Sequence, residues 1–471
     1  MAHASLALAL CLAAGTASGA ECTQAQFAQA EALLGRHDLA GAESLAKSCD
    51  SGGPRAAPFK ALLGQIALRR GRVDAAERYF RDAVAISPNY AGGWFGLGHV
   101  SECTFNRKTA QDSYRKAHEL APEVAATVFH WALTLEDGEQ ERALESYLGL
   151  AKGRDARGVE QARALLAVRR ALGDRKPFGL VSSYRRTEIR LEPALHGQEL
   201  RAYRIAVSIN GGEPVRLLLD TGASGIVLCA PLAERFHVRR LATTTVSGLG
   251  DTGDVRGYAG TVDRIRIGGV EFRDGVVTVG EGPRIGGELG LVGTDVFERF
   301  LVTLDLPNAV LKLEPFADAG DDSPADRGFD TDPDFERIYR LGHSLLIPTS
   351  VSGADPAMFI LDTGASQTLI ARDFAADLAR MRSAGDDVPL HGISGKINDI
   401  DAADDLKFKF GGFSVRCLDT LSVDLKRHSD DMGIEVAGFL GFPILKLFSI
   451  TIDYRNGLVR FACPTAQATV R

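Results

Sequence analysis

The sequence lacks the patterns that mark a metal enzyme. Its seven cysteines include no pair at Cys-x-x-Cys spacing, so a zinc site is not indicated. A His-Glu-x-x-His segment or another cluster of metal ligands is also absent, which argues against a metal-dependent hydrolase. We therefore expect no metal and no other cofactor.

A strong charge and a long hydrophobic run are also missing. The formal net charge is only -7, which argues against a nucleic-acid binder. Beyond the first twenty residues, no apolar run is long enough to span a bilayer. We expect neither nucleic acid nor a membrane span for the mature chain.

The first twenty residues have the pattern of a secretory signal peptide. An apolar stretch rich in leucine and alanine runs from Leu6 to Ala14. The small residues Ser18 and Ala20 precede a predicted cut at Glu21. The positive end of this segment is weak, so an uncleaved anchor stays open as an alternative. The pattern predicts an exported protein.

Six cysteines would remain in the mature chain, an even number that suits an oxidising compartment. Cys22 with Cys49, and Cys417 with Cys463, are candidate disulfides, because each pair would close within one domain. The two other cysteines, Cys103 and Cys229, are expected to be buried thiols.

From about Thr23 to Asp174 the chain has helical periodicity and a repeat of roughly thirty-four residues. Small residues, an aromatic residue and a proline recur in step, and this pattern resembles the tetratricopeptide (TPR) family. The resemblance implies a helical solenoid in which aromatic side chains fill the space between paired helices. It also implies a possible docking surface for a peptide or a partner protein. The matching positions are Gly64, Ala76, Phe80, Ala83 and Pro88 in one copy, and Trp94, Leu97, Gly98, Ala110, Tyr114, Ala117 and Pro122 in the next.

After about Phe178, two apolar strands each end in the same segment, Asp-Thr-Gly-Ala-Ser, at 220–224 and at 362–366. A buried carboxylate is unfavourable unless it has hydrogen-bond donors or shares a proton. If the two loops face each other across a pseudo-two-fold axis, Asp220 and Asp362 can share one proton. The ionised group would then activate a water while the protonated one polarises an amide carbonyl.

The neighbours of the two aspartates suit this arrangement. Gly222 and Gly364 permit a tight backbone turn. The hydroxyls of Thr221 and Thr363 can hydrogen-bond across to the backbone of the opposite loop. We expect these four residues to support the catalytic loops.

At these residues the chain resembles an aspartic protease of the pepsin and retropepsin superfamily. The resemblance implies a bilobal all-β fold, a peptide or protein substrate, and Asp220 with Asp362 as the catalytic pair. Alanine follows each glycine, as in retropepsins, so the resemblance gives no support for a strongly acidic pH optimum. Each lobe supplies its own aspartate, so we expect a monomer to suffice. The combination with a TPR array and a signal peptide indicates a periplasmic or secreted protein.

A glycine-rich hairpin follows each Asp-Thr-Gly loop, at 246–255 and at 390–397. The resemblance implies that these hairpins are flaps, with Gly248, Gly250 and Gly392 as flap and substrate-binding positions. An ordinary turn at the edge of each lobe is the alternative. Further on, 291–293 and 439–441 resemble the family signature of two apolar residues and a glycine, whose strand passes behind the catalytic loop.

These patterns predict a signal peptide at 1–20, a TPR-like helical domain at 21–174, and protease lobes at 175–315 and 343–471. An acidic linker is predicted at 316–342. The predicted fold is thus a helical solenoid followed by a two-lobed β protease. The predicted function is an aspartic endopeptidase whose helical array docks substrates or regulates activity. The alternative is a binding scaffold in which the array and an inactive cleft hold a peptide without cutting it.

Overall fold

A computed structural model describes residues 23–49, 56–151, 155–182, 185–251, 253–316, 333–385 and 390–464. The predicted signal peptide and most of the predicted acidic linker lie outside these residues. Contacts divide the chain into two compact units. The first contains the chain up to Leu166 together with Ser429–Glu435, and the second contains Ala167–His428 and the chain from Val436.

The described residues before 173 form antiparallel helix pairs and a final single helix, which confirms the predicted TPR-like array. Side chains cap several helices; for example, Asn106 accepts a hydrogen bond from the Thr109 N–H at 3.1 Å. No helix among the described residues is both long and apolar enough to cross a membrane. The helices are α1 (Gln24–Gly35), α2 (Leu39–Ser48), α3 (Ala56–Arg69), α4 (Val73–Ile86), α5 (Ala91–Cys103), α6 (Arg107–Leu120), α7 (Ala125–Thr134), α8 (Asp137–Leu150) and α9 (Ala156–Leu172).

Aromatic rings fill the space between these helices, and glycines make room for them. Phe80 on α4 is buried, and a Cβ atom on Gly64 of α3 or Gly96 of α5 would lie 2.8 or 2.1 Å from its ring. Tyr114 on α6 is likewise buried, with a Cβ on Gly98 at 2.5 Å. The repeated small and aromatic residues are therefore packing partners, as the repeat pattern predicts.

Replacing Gly96 with alanine is expected to destabilise the helical unit. The added methyl group would overlap the buried Phe80 ring, and overpacking of this kind typically costs about 1–3 kcal/mol. Thermal unfolding should show a lower Tm. Gly149→Ala is the matched control, because no atom lies within 4 Å of the added Cβ. An exposed helical glycine replaced by alanine should leave Tm unchanged or raise it. Equal Tm values for the two variants would contradict this packing.

The segment Ser429–Glu435 packs with the helices of the first unit. Arg69 forms an ion pair with Asp430, and Arg157 pairs with Asp431 at 2.8 Å. The backbone N–H of Glu435 donates to the carbonyl of Arg69 at 2.6 Å. Charged side chains of the array thus hold a segment that is distant in sequence.

The second unit begins with a nine-stranded sheet that forms most of the first lobe. Its strands alternate with glycine turns, as the sequence predicts. The elements of this part are β1 (Gly179–Leu180), β2 (Thr187–Arg190), β3 (Glu192–His196), β4 (Glu199–Ile209), β5 (Val215–Asp220), β6 (Ile226–Cys229), α10 (Ala230–Arg235), β7 (Arg239–Val246), β8 (Val255–Ile267), β9 (Val270–Gly280), β10 (Gly290–Gly293), a 3-10 turn (Thr294–Phe297), β11 (Phe300–Asp305) and β12 (Val310–Pro315).

The second lobe repeats this plan around a ten-stranded sheet. The first two strands of this lobe, β13 and β14, lie within the segment predicted as an acidic linker. Ile338 and Tyr339 are buried there. The elements are β13 (Glu336–Arg337), β14 (Tyr339–Leu341), β15 (Ser344–Val351), β16 (Ala357–Leu361), β17 (Leu369–Ala371), α11 (Arg372–Ala376), β18 (Met381–Ser383), β19 (His391–Gly392), β20 (Gly395–Lys396), β21 (Asp401–Ala403), β22 (Leu406–Phe410), β23 (Phe413–Cys417), β24 (Thr420–Val423), α12 (Lys426–Met432), β25 (Val436–Leu440), α13 (Phe442–Leu445), β26 (Ser449–Asp453) and β27 (Leu458–Ala462).

A six-stranded sheet joins the two lobes, in the order β13, β27, β26, β11, β12, β2. Its central pair consists of equivalent strands, because β11 and β26 each close their own lobe, and they pair antiparallel with Val302 opposite Ile452. The Thr303 and Thr451 hydroxyls hydrogen-bond across this pair at 3.0 Å. Related strands meeting in this way place a pseudo-two-fold axis between the lobes.

The cysteines follow the sequence prediction only in part. Cys103 and Cys229 are buried thiols, as predicted. Cys49 is disulfide-bonded; its predicted partner, Cys22, lies outside the described residues. The predicted bond between Cys417 and Cys463 is wrong, since both residues are thiols. Cys417 ends β23 in the ten-stranded sheet, whereas Cys463 follows β27 in the sheet between the lobes.

Candidate active site

The same strand arrangement carries the aspartate of each lobe. Asp220 is the last residue of β5, and Asp362 directly follows β16. Beside β5, strand β10 pairs parallel with β5 and antiparallel with β6. Strand β25 pairs in the same way with β16 and β17. The apolar, buried strands therefore fix both carboxyl groups at strand ends.

Glycine lets these flanking strands pass behind the aspartate loops. A Cβ on Gly293 would lie 2.4 Å from the carbonyl oxygen of Ala223. A Cβ on Gly441 would lie 2.1 Å from the carbonyl oxygen of Gln367. No side chain fits at either distance. This explains why glycine follows the two apolar residues in each lobe.

Four hydrogen bonds connect the aspartate loops through their threonines. The Thr221 hydroxyl donates to the Leu361 carbonyl at 2.7 Å and accepts from the Thr363 N–H at 2.9 Å. The Thr363 hydroxyl donates to the Leu219 carbonyl at 3.1 Å and accepts from the Thr221 N–H at 3.0 Å. Both threonines are buried. Loss of either hydroxyl would leave buried backbone groups without partners.

Each aspartate carboxyl lies against the glycine of the opposite loop. A Cβ on Gly364 would lie 2.4 Å from Cγ of Asp220, and one on Gly222 would lie 2.9 Å from Cγ of Asp362. Asp220 accepts a hydrogen bond from the Gly222 N–H at 2.8 Å. Asp362 accepts two, from the N–H groups of Gly364 at 2.9 Å and Ala365 at 2.8 Å. The glycines thus allow the loops to approach until the two carboxyl groups face each other.

The two carboxyl groups share an environment that opposes a double negative charge. Burial, followed by the charge of Asp362 and a hydrogen bond to it, holds the pKa of Asp220 well above its usual range. Burial also raises the pKa of Asp362, but hydrogen bonds from Asp220 and from two backbone N–H groups oppose that rise. The pair therefore shares one proton, and the second backbone N–H bond to Asp362 favours Asp362 as the ionised member.

Replacing either aspartate with asparagine is expected to stabilise the protein at neutral pH. Both aspartates have raised pKa values in the folded protein. At a pH above the usual carboxyl pKa, the native state therefore binds more protons than the unfolded state. Stability therefore falls as pH rises, and asparagine removes that loss. A gain of about 1 kcal/mol would raise Tm by a few degrees at about pH 7.5. The difference should shrink toward about pH 3–4.

Asp263→Asn is the control for this measurement, because Asp263 is an exposed aspartate of the same lobe. Its Tm should match that of the parent protein at both pH values. A Tm gain that is equally large at acidic and neutral pH would contradict the raised pKa of the pair.

Sequence reasoning missed two residues beside the first loop. Asp295, in the 3-10 turn after β10, accepts hydrogen bonds from the Gly225 N–H at 2.9 and 3.0 Å and from the Ser224 hydroxyl at 3.2 Å. The second is His343, whose pKa is lowered by burial against the opposing charge of Asp295. The position of Asp295 two residues after Gly293 gave only a weak signal, since the equivalent residue of the second lobe is Pro443. No sequence pattern pointed to His343.

The two glycine-rich hairpins contact each other. The Leu249 carbonyl accepts a hydrogen bond from the Ser394 N–H at 2.9 Å, and the Asp251 N–H donates to the Lys396 carbonyl at 3.1 Å. The Asp251 carboxylate accepts from both the backbone N–H and the side-chain amide of Asn398 at 2.9 Å. Backbone and side-chain bonds thus join a hairpin of each lobe.

The predicted flap glycines lie at this contact. A Cβ on Gly248 would lie 2.7 Å from Cβ of Ile393, and one on Gly392 would lie 2.0 Å from the Leu249 carbonyl oxygen. Gly250 has a positive φ of +135°, and a Cβ on this residue would lie 2.3 Å from the backbone carbonyl of Ser394. The three glycines therefore permit close contact between the hairpins, and their role as flap and substrate-binding positions stays a prediction.

Comparison with known proteins agrees with this geometry. The aspartyl protease family model matches residues 205–296 and 347–444, one segment in each lobe. The C-terminal region therefore carries an aspartyl protease family domain. Comparison with curated protein sequences gives no match.

The helical region resembles solved TPR structures. A thermophilic TPR protein of Thermus thermophilus is 19% identical, with 31% of this chain and 79% of that chain covered and a TM-score of 0.26. For MamA the values are 16% identity, coverage of 30% and 82%, and a TM-score of 0.25. A mutant O-GlcNAc transferase of Thermobaculum terrenum is 21% identical, with coverage of 27% and 25% and a TM-score of 0.24.

Proposed function

We propose that this protein is an aspartic endopeptidase in which Asp220 and Asp362 activate a water molecule to hydrolyse peptide bonds. The observation that carries the proposal is the pair of facing carboxyl groups, each lying against the opposite loop's glycine. Hydrogen bonds between Thr221 and Thr363 fix the loops that bear them. Because one chain supplies both loops, a monomer is sufficient for the reaction.

We assign the two roles from the hydrogen bonds of the carboxyl groups, because Asp362 accepts two backbone N–H bonds and Asp220 accepts one. Ionised Asp362 takes a proton from the water as its oxygen attacks the carbonyl carbon of the scissile amide. Protonated Asp220 donates its proton to the carbonyl oxygen, giving a tetrahedral diol. When the C–N bond breaks, the proton held by Asp362 passes to the leaving nitrogen and Asp220 regains its own from the diol. The products are a carboxylic acid and an amine, with the pair returned to its starting state.

The hairpins joined by Asp251 and Asn398 serve as a lid in this proposal. Asp251→Ala removes two hydrogen bonds that connect them, so the closed arrangement should be less populated. We expect kcat/KM for peptide cleavage to change by several-fold while Tm changes little. Asp263→Asn, on an exposed strand residue, is the control and should behave as the parent. A variant with unchanged kcat and KM would show that these bonds do not govern access.

The helical array is proposed to dock extended protein substrates or a partner protein. Solenoids of this kind use extended concave surfaces for binding. Docking predicts a lower KM for a long unfolded protein than for a short peptide with the same cleavage site. Equal KM values for the two substrates would contradict the docking role.

Export is part of the proposal. N-terminal sequencing of the protein from a secreting cell should find Glu21 as the first residue, and an intact Met1 would contradict cleavage there.

Inhibitors distinguish the proposed peptidase from its alternatives. The purified chain is incubated with a peptide library, with and without a pepstatin-like inhibitor or a chelator, and new termini are identified by mass spectrometry. We expect cleavage that the inhibitor blocks and the chelator does not. Peptides that bind but remain intact would instead identify a binding scaffold. Cleavage abolished by the chelator would identify a metal-dependent hydrolase.

A further inference from the structure

Three side chains capable of binding a metal meet within the helical unit. His99 and Glu102 are separated by one turn of α5, so both project from the same face of that helix. His130 comes from α7, the first helix of the next helical pair. One candidate ligand atom from each residue lies within 4.8 Å of the other two. Within the described residues, this is the group of three with that property.

The distance between the two imidazoles matches an edge of a metal coordination sphere. The Nε2 atoms of His99 and His130 lie 3.4 Å apart. Tetrahedral zinc with bonds of about 2.0–2.1 Å holds two nitrogen ligands about 3.3 Å from each other. Glu102 Oε2 lies 3.7 Å from Nδ1 of His130. The second distance involves the other ring nitrogen of His130, and an imidazole gives only one nitrogen to an ion. Side-chain rotations must therefore bring one nitrogen of His130 to both partners, and one candidate atom from each of the three residues already lies within 4.8 Å of the other two.

One polar atom of the cluster lacks a partner. Nδ1 of His130 is buried and has no hydrogen-bond partner in the structure. A buried ring nitrogen next to a carboxylate is usually satisfied, and metal coordination would supply what is missing.

A second group orients the carboxylate. The Tyr114 hydroxyl donates to Glu102 Oε2 at 2.8 Å, and Tyr114 is completely buried. Outer hydrogen bonds of this kind fix ligand orientation in metal sites and are worth about 10–100-fold in affinity. The side chain of His130 is 14% exposed and that of Glu102 is 36% exposed, so an ion can enter from solvent.

We propose that His99, Glu102 and His130 bind a divalent transition metal ion of the zinc class, with water completing the coordination sphere. Two imidazoles and one carboxylate are a common ligand set for zinc. The ion would connect α5 to α7 and stiffen two successive helical pairs of the array. The sequence offered no motif for this site, because His99 and His130 lie 31 residues apart and only the folded array brings them together.

The competing explanation is that the cluster is simply aromatic packing. The ring centroids of His99 and His130 are 4.4 Å apart, and Phe95 and Tyr114 pack within 5.8 Å of them. Packing requires no ion. If packing is the only role of the cluster, replacing either histidine with glutamine should change stability by the same amount with and without added metal. Metal binding and packing therefore predict different results in a titration.

The test is zinc and cobalt binding by the full chain without an affinity tag. After metal removal by a chelator and its dialysis, Zn²⁺ is titrated by calorimetry, and Co²⁺ is titrated while visible absorption is recorded. We expect one high-affinity ion per chain and the intense visible bands of a low-coordinate cobalt site. His99→Gln and His130→Gln should each weaken Zn²⁺ binding by about 100-fold or more, and Tyr114→Phe by about 10-fold.

His196→Gln is the matched control, because it removes an exposed imidazole from the β region. It should bind Zn²⁺ as the parent does. Circular dichroism and Tm without metal show whether each variant is folded. Zn²⁺ should raise the Tm of the parent and of His196→Gln more than that of His99→Gln or His130→Gln. Failure of Zn²⁺ to bind the parent, or equal binding by folded His130→Gln, would overturn the site. Peptide cleavage does not enter this test, so its result is independent of the proposed peptidase.

Discussion

Asp220→Asn and Asp362→Asn are each expected to lower kcat/KM for peptide cleavage by about 10²–10⁴-fold or more. Asparagine keeps the shape and the hydrogen bonds from the loop N–H groups to the side-chain oxygen. It cannot take a proton from water, as Asp362 must, or donate one in the way Asp220 must. Because the two groups act as a unit, the double variant should be little worse than either single variant.

The measurement is initial-rate cleavage of one peptide by freshly purified parent and variants, with Tm recorded for each. Asp263→Asn serves as the control, since it removes an exposed carboxylate from the same lobe. It should retain the parent rate. Full activity in either folded active-site variant would rule out the shared-proton mechanism.

Gly364→Ala is expected to reduce cleavage by about 100-fold with the fold retained. Its new Cβ would lie 2.4 Å from Cγ of Asp220, so the carboxyl of Asp220 must move. A displacement of about 1 Å at a reacting group can cost about 10²-fold in rate. Gly222→Ala should have a smaller effect, since its Cβ would lie 2.9 Å from Cγ of Asp362.

Gly149→Ala makes the same chemical change where nothing lies within 4 Å. Its activity should equal that of the parent. Rates are compared at saturating and at limiting substrate, because a misplaced Asp220 should lower kcat and not merely raise KM. If Gly364→Ala cleaves as well as Gly149→Ala, the carboxyl of Asp220 does not need its observed position.

Local patterns were sufficient to predict much of the architecture. The helical repeat specified the packing of Phe80 and Tyr114 because small residues recur at the positions that face those rings. Two copies of Asp-Thr-Gly predicted two lobes, since an aspartate after a buried strand needs compensation from elsewhere. The glycines at 293 and 441 predicted the strands that pass behind the loops. Each of these signals depends on residues close together in sequence.

Features that arise from distant residues were not predictable in the same way. Asp295 hydrogen-bonds the first loop, but the equivalent position in the second lobe is Pro443, so the internal repeat gave no support for it. The contact between the hairpins and the meeting of His99 with His130 exist only after folding. The predicted disulfide between Cys417 and Cys463 failed because proximity within one domain does not place two strand ends together.

Cleavage of an unfolded protein in H₂¹⁸O across about pH 3 to 8, by the parent and Asp362→Asn side by side, tests the central claim most directly. Mass spectrometry of the new termini reports both cleavage and the origin of the added oxygen. The proposed mechanism predicts a bell-shaped pH profile for the parent, because the pair must hold one proton. It also predicts one ¹⁸O in each new carboxyl terminus and no cutting by Asp362→Asn. The mechanism would be contradicted if the folded parent cleaves the protein at no pH, or if Asp362→Asn cleaves it as fast as the parent does.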